Sequence, residues 1–293
     1  MTLAPAVVAV GGGHGLAVSL QAICTYAQEI TAIVTVADDG GSSGRLRSDL
    51  GGPAMGDMRL CLSAMAPDQS IWRQVSEHRF GKGDLAGHAA GNLILHALAA
   101  ETGDWVQATD QLGQLIGARG RVLPATCEPV TLVADVASTA AAERVEGQVA
   151  VATTAPVDRL YLEPSTPTAP AEAVDALDRA DQIVLGPGSL FTSVLAASIV
   201  PGIRQAIAGS KGRRVYVANL GEQRHETSGF SVADHVAALN RHGIPIDNVV
   251  LQPGALKRGE IDPDLDVTEA QVARQTGAGH DPELLGPVLA ALL

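Results

Sequence analysis

Val7-Val8-Ala9-Val10 runs straight into Gly11-Gly12-Gly13-His14-Gly15-Leu16, and TAIVTVADDGGSSGRLR follows at Thr31–Arg47. The first apolar run stops at glycines, and Leu16, Leu20, Ile23, Cys24 and Ala27 then recur at helical spacing over 15–27. A second apolar run, 30–36, stops at Asp38-Asp39-Gly40-Gly41-Ser42-Ser43-Gly44-Arg45. Strand, glycine turn, helix, strand and polar turn form the opening half of a nucleotide-binding α/β sheet. Glycines let backbone N–H groups approach a phosphate at a helix N-terminus, where the helix dipole favours an anion. Asp38 and Asp39 stand at the strand end, where a ribose or a Mg²⁺ ion is held. Ser42 and Ser43 add hydroxyl donors, and Arg45 and Arg47 can pair with phosphate through two parallel N–H bonds.

Neither common nucleotide fingerprint is met. The sixth position of G-x-G-x-x-G, counted from Gly11, is Leu16, and no G-x-x-x-x-G-K-[ST] occurs. The rival reading of the triple glycine is a tight turn. The second polar turn at the matching sheet edge favours a phosphate-bearing ligand.

The 293 residues suffice for one large α/β domain, and 46% hydrophobic with 18% charged residues is a globular composition. No apolar run approaches the ~20 residues of a membrane span, and no secretory signal is visible. Cys24, Cys61 and Cys127 are too few and too scattered for a disulfide framework or a C-x-x-C site, so a cytoplasmic protein is expected. A net charge of −12 with 3% aromatics argues against nucleic-acid binding. Arg45, Arg47 and Arg59 lie close to the glycine loops, which suits a small anion better than a polymer.

Further along, Asp57 has two equal readings: the N-cap of a helix over 58–65, or, with Arg59, a group facing the ligand. Helices are expected over 71–80, from Gly87-His88 to Ala100, and over 103–116. His88, Asn92 and His96 share one face. His88 and Asn92, beside glycines in the first turn, are site candidates, whereas His96 among leucines reads as a buried, satisfied histidine. From Arg121 the pattern turns β-branched, and 130–136, 147–152 and 159–162 predict an antiparallel meander added to the parallel sheet. The strand 182–185 ends at Gly186-Pro187-Gly188-Ser189, a second strand–glycine–helix junction with room for an anion or a hydroxyl. Strands follow at 215–217, ending at Asn219, and at 248–251, the last convincing one. Ser231 with Asp234 predicts a capping box for 232–241, and Asp234-His235 reads as a solvated first turn. Thr268 with Gln271 predicts a helix over 269–275, and Asp281-Pro282 opens a final helix. No metalloprotease H-E-x-x-H occurs, and no general base stands out.

Six stretches occur together: GGGHGL at Gly11–Leu16, TAIVTVADDGGSSGRLR at Thr31–Arg47, GDMRLCL at Gly56–Leu62, GHAAGNL at Gly87–Leu93, LGPGSLFTSV at Leu185–Val194 and YVANL at Tyr216–Leu220. In this order they resemble the gluconeogenesis-factor (YvcK-like) family, over roughly Val7 to His242. The resemblance implies a three-layer α/β/α, Rossmann-like, mostly parallel sheet. It also implies binding of UDP-sugars such as UDP-N-acetylglucosamine, and a role in cell shape and in growth on gluconeogenic carbon sources. That family is similar in fold to 2-phospho-L-lactate transferase, from which GGSSGRLR separates this chain. Carried onto matching positions, Gly11, Gly12, Gly13, Asp38, Asp39, Ser42, Ser43, Arg45, Asp57, Arg59, His88, Asn92, Gly188 and Ser189 line the ligand cleft; His14 and Asn219 complete the candidate set. Three departures bear on ligand identity: His14 for threonine or serine, Leu60 for asparagine, and Gly221–His225 for the usual loop.

The expectation is therefore a single domain over 1–293, with a β-rich insertion at 121–163 and a C-terminal helical segment at 252–293. It binds a nucleotide-sugar, with Mg²⁺ on Asp38 and Asp39 and envelope-synthesis proteins or a second copy as partners. The alternatives are a phosphate-linked group transferase and an NAD(P)-binding oxidoreductase.

Overall fold

A computed structural model of the chain describes residues 5–136, 143–154, 156–277 and 279–293. The chain opens with β1 (Ala6–Gly11), α1 (Gly13–Ile23) and β2 (Glu29–Val34). Helices α2 (Gly41–Leu50), α3 (Gly56–Ala64), α4 (Ile71–Glu77), α5 (Ala90–Thr102) and α6 (Trp105–Ile116) lead to β3 (Arg121–Pro124). Next come β4 (Thr131–Val136), β5 (Glu143–Glu146), α7 (Gln148–Thr153), β6 (Val157–Glu163), α8 (Ala171–Arg179) and β7 (Gln182–Leu185). A π-helical turn, Leu190–Leu195, runs into α9 (Ala196–Ser198) and α10 (Pro201–Gly209). The chain closes with β8 (Arg213–Val217), α11 (Val232–Arg241), β9 (Asn248–Leu251), β10 (Asp266–Glu269) and α12 (Pro282–Ala290).

Seven strands form one sheet in the order β10-β9-β8-β7-β1-β2-β3, every neighbouring pair parallel. The central strands are buried on both faces, which is why they read as continuous apolar runs rather than alternating ones, whereas the edge strand β10 is more exposed and polar. On one face Val8 and Val10 pack with Phe191, Leu195 and Ile203, together with Leu132 and Leu160 of the small sheet. On the other, Val7 and Ala9 pack with Leu16, Leu20, Met58, Leu112 and Leu285. The expected three-layer α/β/α arrangement is present. From β1 the chain moves outward to β3, then crosses back to β7 and outward again to β10, so strand order reverses between β1 and β7. Ligands in open α/β sheets bind at such a switch point, beyond the carboxyl ends of the strands.

Three sequence expectations fail for identifiable reasons. β3 belongs to the parallel sheet, and β5-β4-β6 is a separate antiparallel sheet, so the insertion does not extend the main one. The run 147–152 is helical because Asp39 Oδ1 accepts the Val149 amide at 3.0 Å, a cap supplied from 110 residues away. In the C-terminal segment β10 follows β9 as a further parallel strand. No helix forms over 269–275, because Gln252 Oε1 accepts the amides of Val272 (3.0 Å) and Ala273 (2.6 Å) and holds that stretch as an extended strap. Among the described residues no single helix is long and apolar enough to cross a membrane.

Candidate functional site

The site begins where the two glycine loops meet across the switch point. A Cβ on Gly15 would lie 2.1 Å from the Pro187 carbonyl oxygen and 3.0 Å from Gly188 Cα, so only glycine permits this approach. Asn219, at the end of β8, clamps the second loop: its Oδ1 accepts the Gly188 amide at 3.1 Å and its Nδ2 donates to the Gly188 carbonyl at 2.8 Å. Gln223 Nε2 donates to Ser189 Oγ at 2.8 Å, and Gln223 Oε1 accepts the Leu190 amide at 3.2 Å. Glu226, 2% exposed, accepts the amides of Phe191 (2.5 Å) and Thr192 (3.0 Å). Burial pushes the Glu226 carboxyl upward, and these amides partly offset that. The second junction is thus filled by the protein's own side chains rather than open to an anion, which corrects the expectation for it. Ser189 faces Gln223, and Gly188 alone of that pair lines the cleft.

The first loop is also partly taken. Asp57 Oδ2 accepts the Gly13 amide, the first of α1, at 2.8 Å. The N-cap reading of Asp57 fails, since α3 is capped by Met55 without a side-chain bond; Asp57 caps α1 instead and, with Arg59, faces the polar chamber. Burial, and then the charge of Asp38, push the Asp57 carboxyl up to about 6. Gly11, Gly12 and Gly13 lie behind the cavity wall, which His14 and Gly15 form.

Beyond them opens a polar chamber of about 340 Å³ that brings together His14, Asp38, Ser42, Ser43, Asp57, Arg59 and Asn92. Arg59 is 7% exposed and, among the described residues, has no carboxylate within ion-pair distance. Its Nε donates to Asn92 Oδ1 at 3.1 Å, Asn92 Nδ2 donates to Ser42 Oγ at 3.4 Å, and Ser42 Oγ lies 2.9 Å from His88 Nδ1. His88 therefore stands behind Ser42 and orients it, outside the lining. Burial, then the neighbouring Arg79, pull the Arg59 pKa down. A buried cation with its far face on a cavity is a built anion site. Asp38 Oδ1 accepts the Gly40 amide at 2.9 Å, and burial raises its carboxyl above the usual range.

Three expected site residues turn elsewhere. Asp39 caps α7. Arg45 donates to the Ala86 carbonyl at 3.0 Å and Arg47 to the Val130 carbonyl at 2.6 Å. The two carboxylates that face the chamber together are Asp38 and Asp57, not Asp38 and Asp39. Among the described residues no group of three or more His, Cys, Asp or Glu could hold a metal. Two carboxylates and two serine hydroxyls suit Mg²⁺, which keeps waters and a ligand phosphate in its shell, but make no all-protein cage.

A larger chamber of about 530 Å³ adjoins the first, sharing His14 and Leu60 and bounded by Pro187, Gly188 and Asn219. Its outer wall comes from residues the sequence reading missed: Arg73, Gln223, Arg274 and His280. Arg73 is neutralised by Asp68 and Glu77, whereas Arg274 has no carboxylate partner among the described residues. His280 Nε2 lies 3.1 Å from the Ala218 carbonyl, and burial pulls its pKa down to about 4, so the ring is neutral and anchors the strap to β8. Gly277 and Gly279 lie beyond the helix expected over 269–275 and mark only the turn before His280. His96, as expected, is a core residue, edge-on to Trp105 at 5.2 Å. His235 is fully buried against Tyr216 rather than in a solvated turn, although the Ser231–Asp234 capping box forms.

The family model for 2-phospho-L-lactate transferase CofD matches residues 7–280. A Mycobacterium tuberculosis protein is 42% identical over 97% of this chain and 89% of its own length. The gluconeogenesis factor of Bacillus subtilis is 40% identical, covering 81% of this chain and 75% of that protein. A crystal structure of a UPF0052-family protein from Bacillus halodurans superposes with a TM-score of 0.92 at 32% identity, covering 99% of both chains.

Proposed function

The chain belongs to the CofD family, among its gluconeogenesis-factor members, and on that premise we propose that it is a nucleotide-sugar-binding regulator of envelope synthesis and cell shape. The observation that carries this reading is the two-chambered cleft at the β1/β7 switch point, with the buried Arg59 in its polar half and, among the described residues, no carboxylate within ion-pair distance of it. The diphosphate of a UDP-sugar such as UDP-N-acetylglucosamine lies against Arg59, Ser42 and Ser43. Its two ends extend past His14 into the larger chamber. Mg²⁺, where bound, sits on Asp38 and Asp57 and offsets the charge of the diphosphate.

A thermal-shift panel tests this with UDP-N-acetylglucosamine, UDP-glucose, GDP, NAD and NADP, each with and without Mg²⁺. A ligand at a thousandfold its Kd adds about 4 kcal/mol of stability, and the two UDP-sugars are expected to give that shift. Stabilisation by NAD or NADP alone sinks the reading in favour of an oxidoreductase.

The second reading, a phosphate-linked group transferase, is favoured by the family model and by one feature of the cleft. Asp57, with its pKa near 6, is poised to take a proton from an attacking hydroxyl. Stabilisation by GDP with Mg²⁺, and by neither UDP-sugar, moves the assignment there.

Asp57 also sets a pH dependence. Its folded pKa lies above the unfolded value of 3.8, so its ionisation opposes folding as pH rises from about 4 to about 6. Without Mg²⁺, an arriving diphosphate raises that pKa further, so metal-free binding takes up a proton and tightens as pH falls from 7.5 toward 6. Calorimetric titration in buffers of different ionisation enthalpy is expected to show this uptake, and Asp57→Asn to abolish it. Equal uptake in the variant assigns the proton to another group.

A further inference from the structure

Apart from the cleft, and sharing no lining residue with it, a cavity of about 410 Å³ opens where β6 meets α10 and α11. Arg159, Arg204 and Arg241 line it together with Tyr161, Gln205 and Ser165, and no carboxylate does. Arg241 Nη1 is paired with Asp158 at 2.7 Å, at the rim. Arg159 and Arg204 have no carboxylate partner among the described residues, in a chain with 32 acidic and 20 basic residues. With carboxylates in such excess, two guanidiniums left over in one concavity form a site of opposite sign to the rest of the molecule.

The base of the cavity is rigid. His242 Nε2 accepts the Leu160 amide at 2.9 Å, and His242 Nδ1 donates to the Ala238 carbonyl at 2.7 Å. Both ring nitrogens are used, the ring is neutral, and the outer edge of β6 is locked to α11. The stem of Arg204 lies across Gly243, where a Cβ would sit 3.4 Å from Arg204 Cδ. The Arg204 stem is thus seated along Gly243, and the guanidiniums of Arg159 and Arg204 stand exposed above this floor.

We propose that this pocket binds a phosphate monoester of sugar-phosphate size. Planar guanidinium forks match the oxygens of a phosphate two at a time. The volume is that of a small-molecule site rather than a polymer track. Neutral His242 adds no charge, so recognition rests on the arginines.

The test titrates isotope-labelled full-length protein with inorganic phosphate and with glucose 6-phosphate, following the amides of residues 159–162, 204–205 and 242–243. Glucose 6-phosphate is expected to shift these amides saturably, at least tenfold more tightly than inorganic phosphate. The double substitution Arg159→Gln/Arg204→Gln is expected to remove the response and to leave UDP-N-acetylglucosamine binding at the cleft unchanged. Both side chains are exposed, so the variant keeps its fold, which its unfolding temperature checks. Shifts that survive the double substitution, or inorganic phosphate binding as tightly as the ester, overturn the proposal.

Discussion

Arg59→Met is expected to weaken UDP-N-acetylglucosamine binding by at least 100-fold while leaving the protein folded. The guanidinium is buried, donates to Asn92, and has no direct ion pair among the described residues, Glu77 and Asp57 acting on it only from farther off. Two charge-assisted hydrogen bonds to a phosphate, at roughly 1.5 kcal/mol or more each, account for about 3 kcal/mol and hence the 100-fold loss. Methionine fills much of the same volume without charge, so the variant leaves neither a large cavity nor a buried ion. Its unfolding temperature is expected to equal or exceed that of the parent, since an unpaired buried charge costs stability. Arg59→Lys restores charge but not the fork and recovers only part of the affinity. Full affinity in Arg59→Met, measured by calorimetry, removes the diphosphate from the polar chamber.

Gly15→Ala carries the largest expected loss of stability. The new methyl group would meet the Pro187 carbonyl at 2.1 Å, and the obstacle is backbone on both sides, with no side chain to swing away. The loops after β1 and β7 must separate, which places the cost at the upper end of overpacking, about 3 kcal/mol. For a chain of this size that lowers the unfolding temperature by roughly 5 °C. Gly13→Ala is the matched control: nothing lies within 4 Å of its Cβ position, and only its φ of +63° is unfavourable. About 1 kcal/mol is expected there. Equal losses for the two variants in calorimetric unfolding would mean that contact between the glycine loops is not what fixes the switch point.

The sheet was legible because every strand of its centre is buried on both faces, and a run such as Val7–Val10 ending in glycine has few other readings. The cleft's general position followed from the same two junctions. What sequence could not supply was the direction of each side chain after the turns. Asp38 and Asp39 are neighbours, yet one faces the chamber and the other caps α7, whose amide lies more than a hundred residues on. Arg45 and Arg47 fit a phosphate by type but are used by backbone carbonyls of distant loops. Asp57 was recognised as a candidate, but its partner, the Gly13 amide, is brought to it only by the packing of α3 on α1. Arg274 was hidden by a helical pattern that tertiary hydrogen bonds from Gln252 override, and His280 fell between two expected helices with no motif to mark it.

The last strap and α12 close a cleft whose other wall is the N-terminus of α1. Gln182 Nε2 ties the Leu289 carbonyl to the sheet at 2.8 Å, and Gly286 lets α12 lie against Thr25. A chain leaving the ribosome therefore holds its glycine loop long before it holds Arg274. The larger chamber is completed only when the final residues emerge, and a protein clipped after β9 would lack the wall that Arg274 and His280 supply.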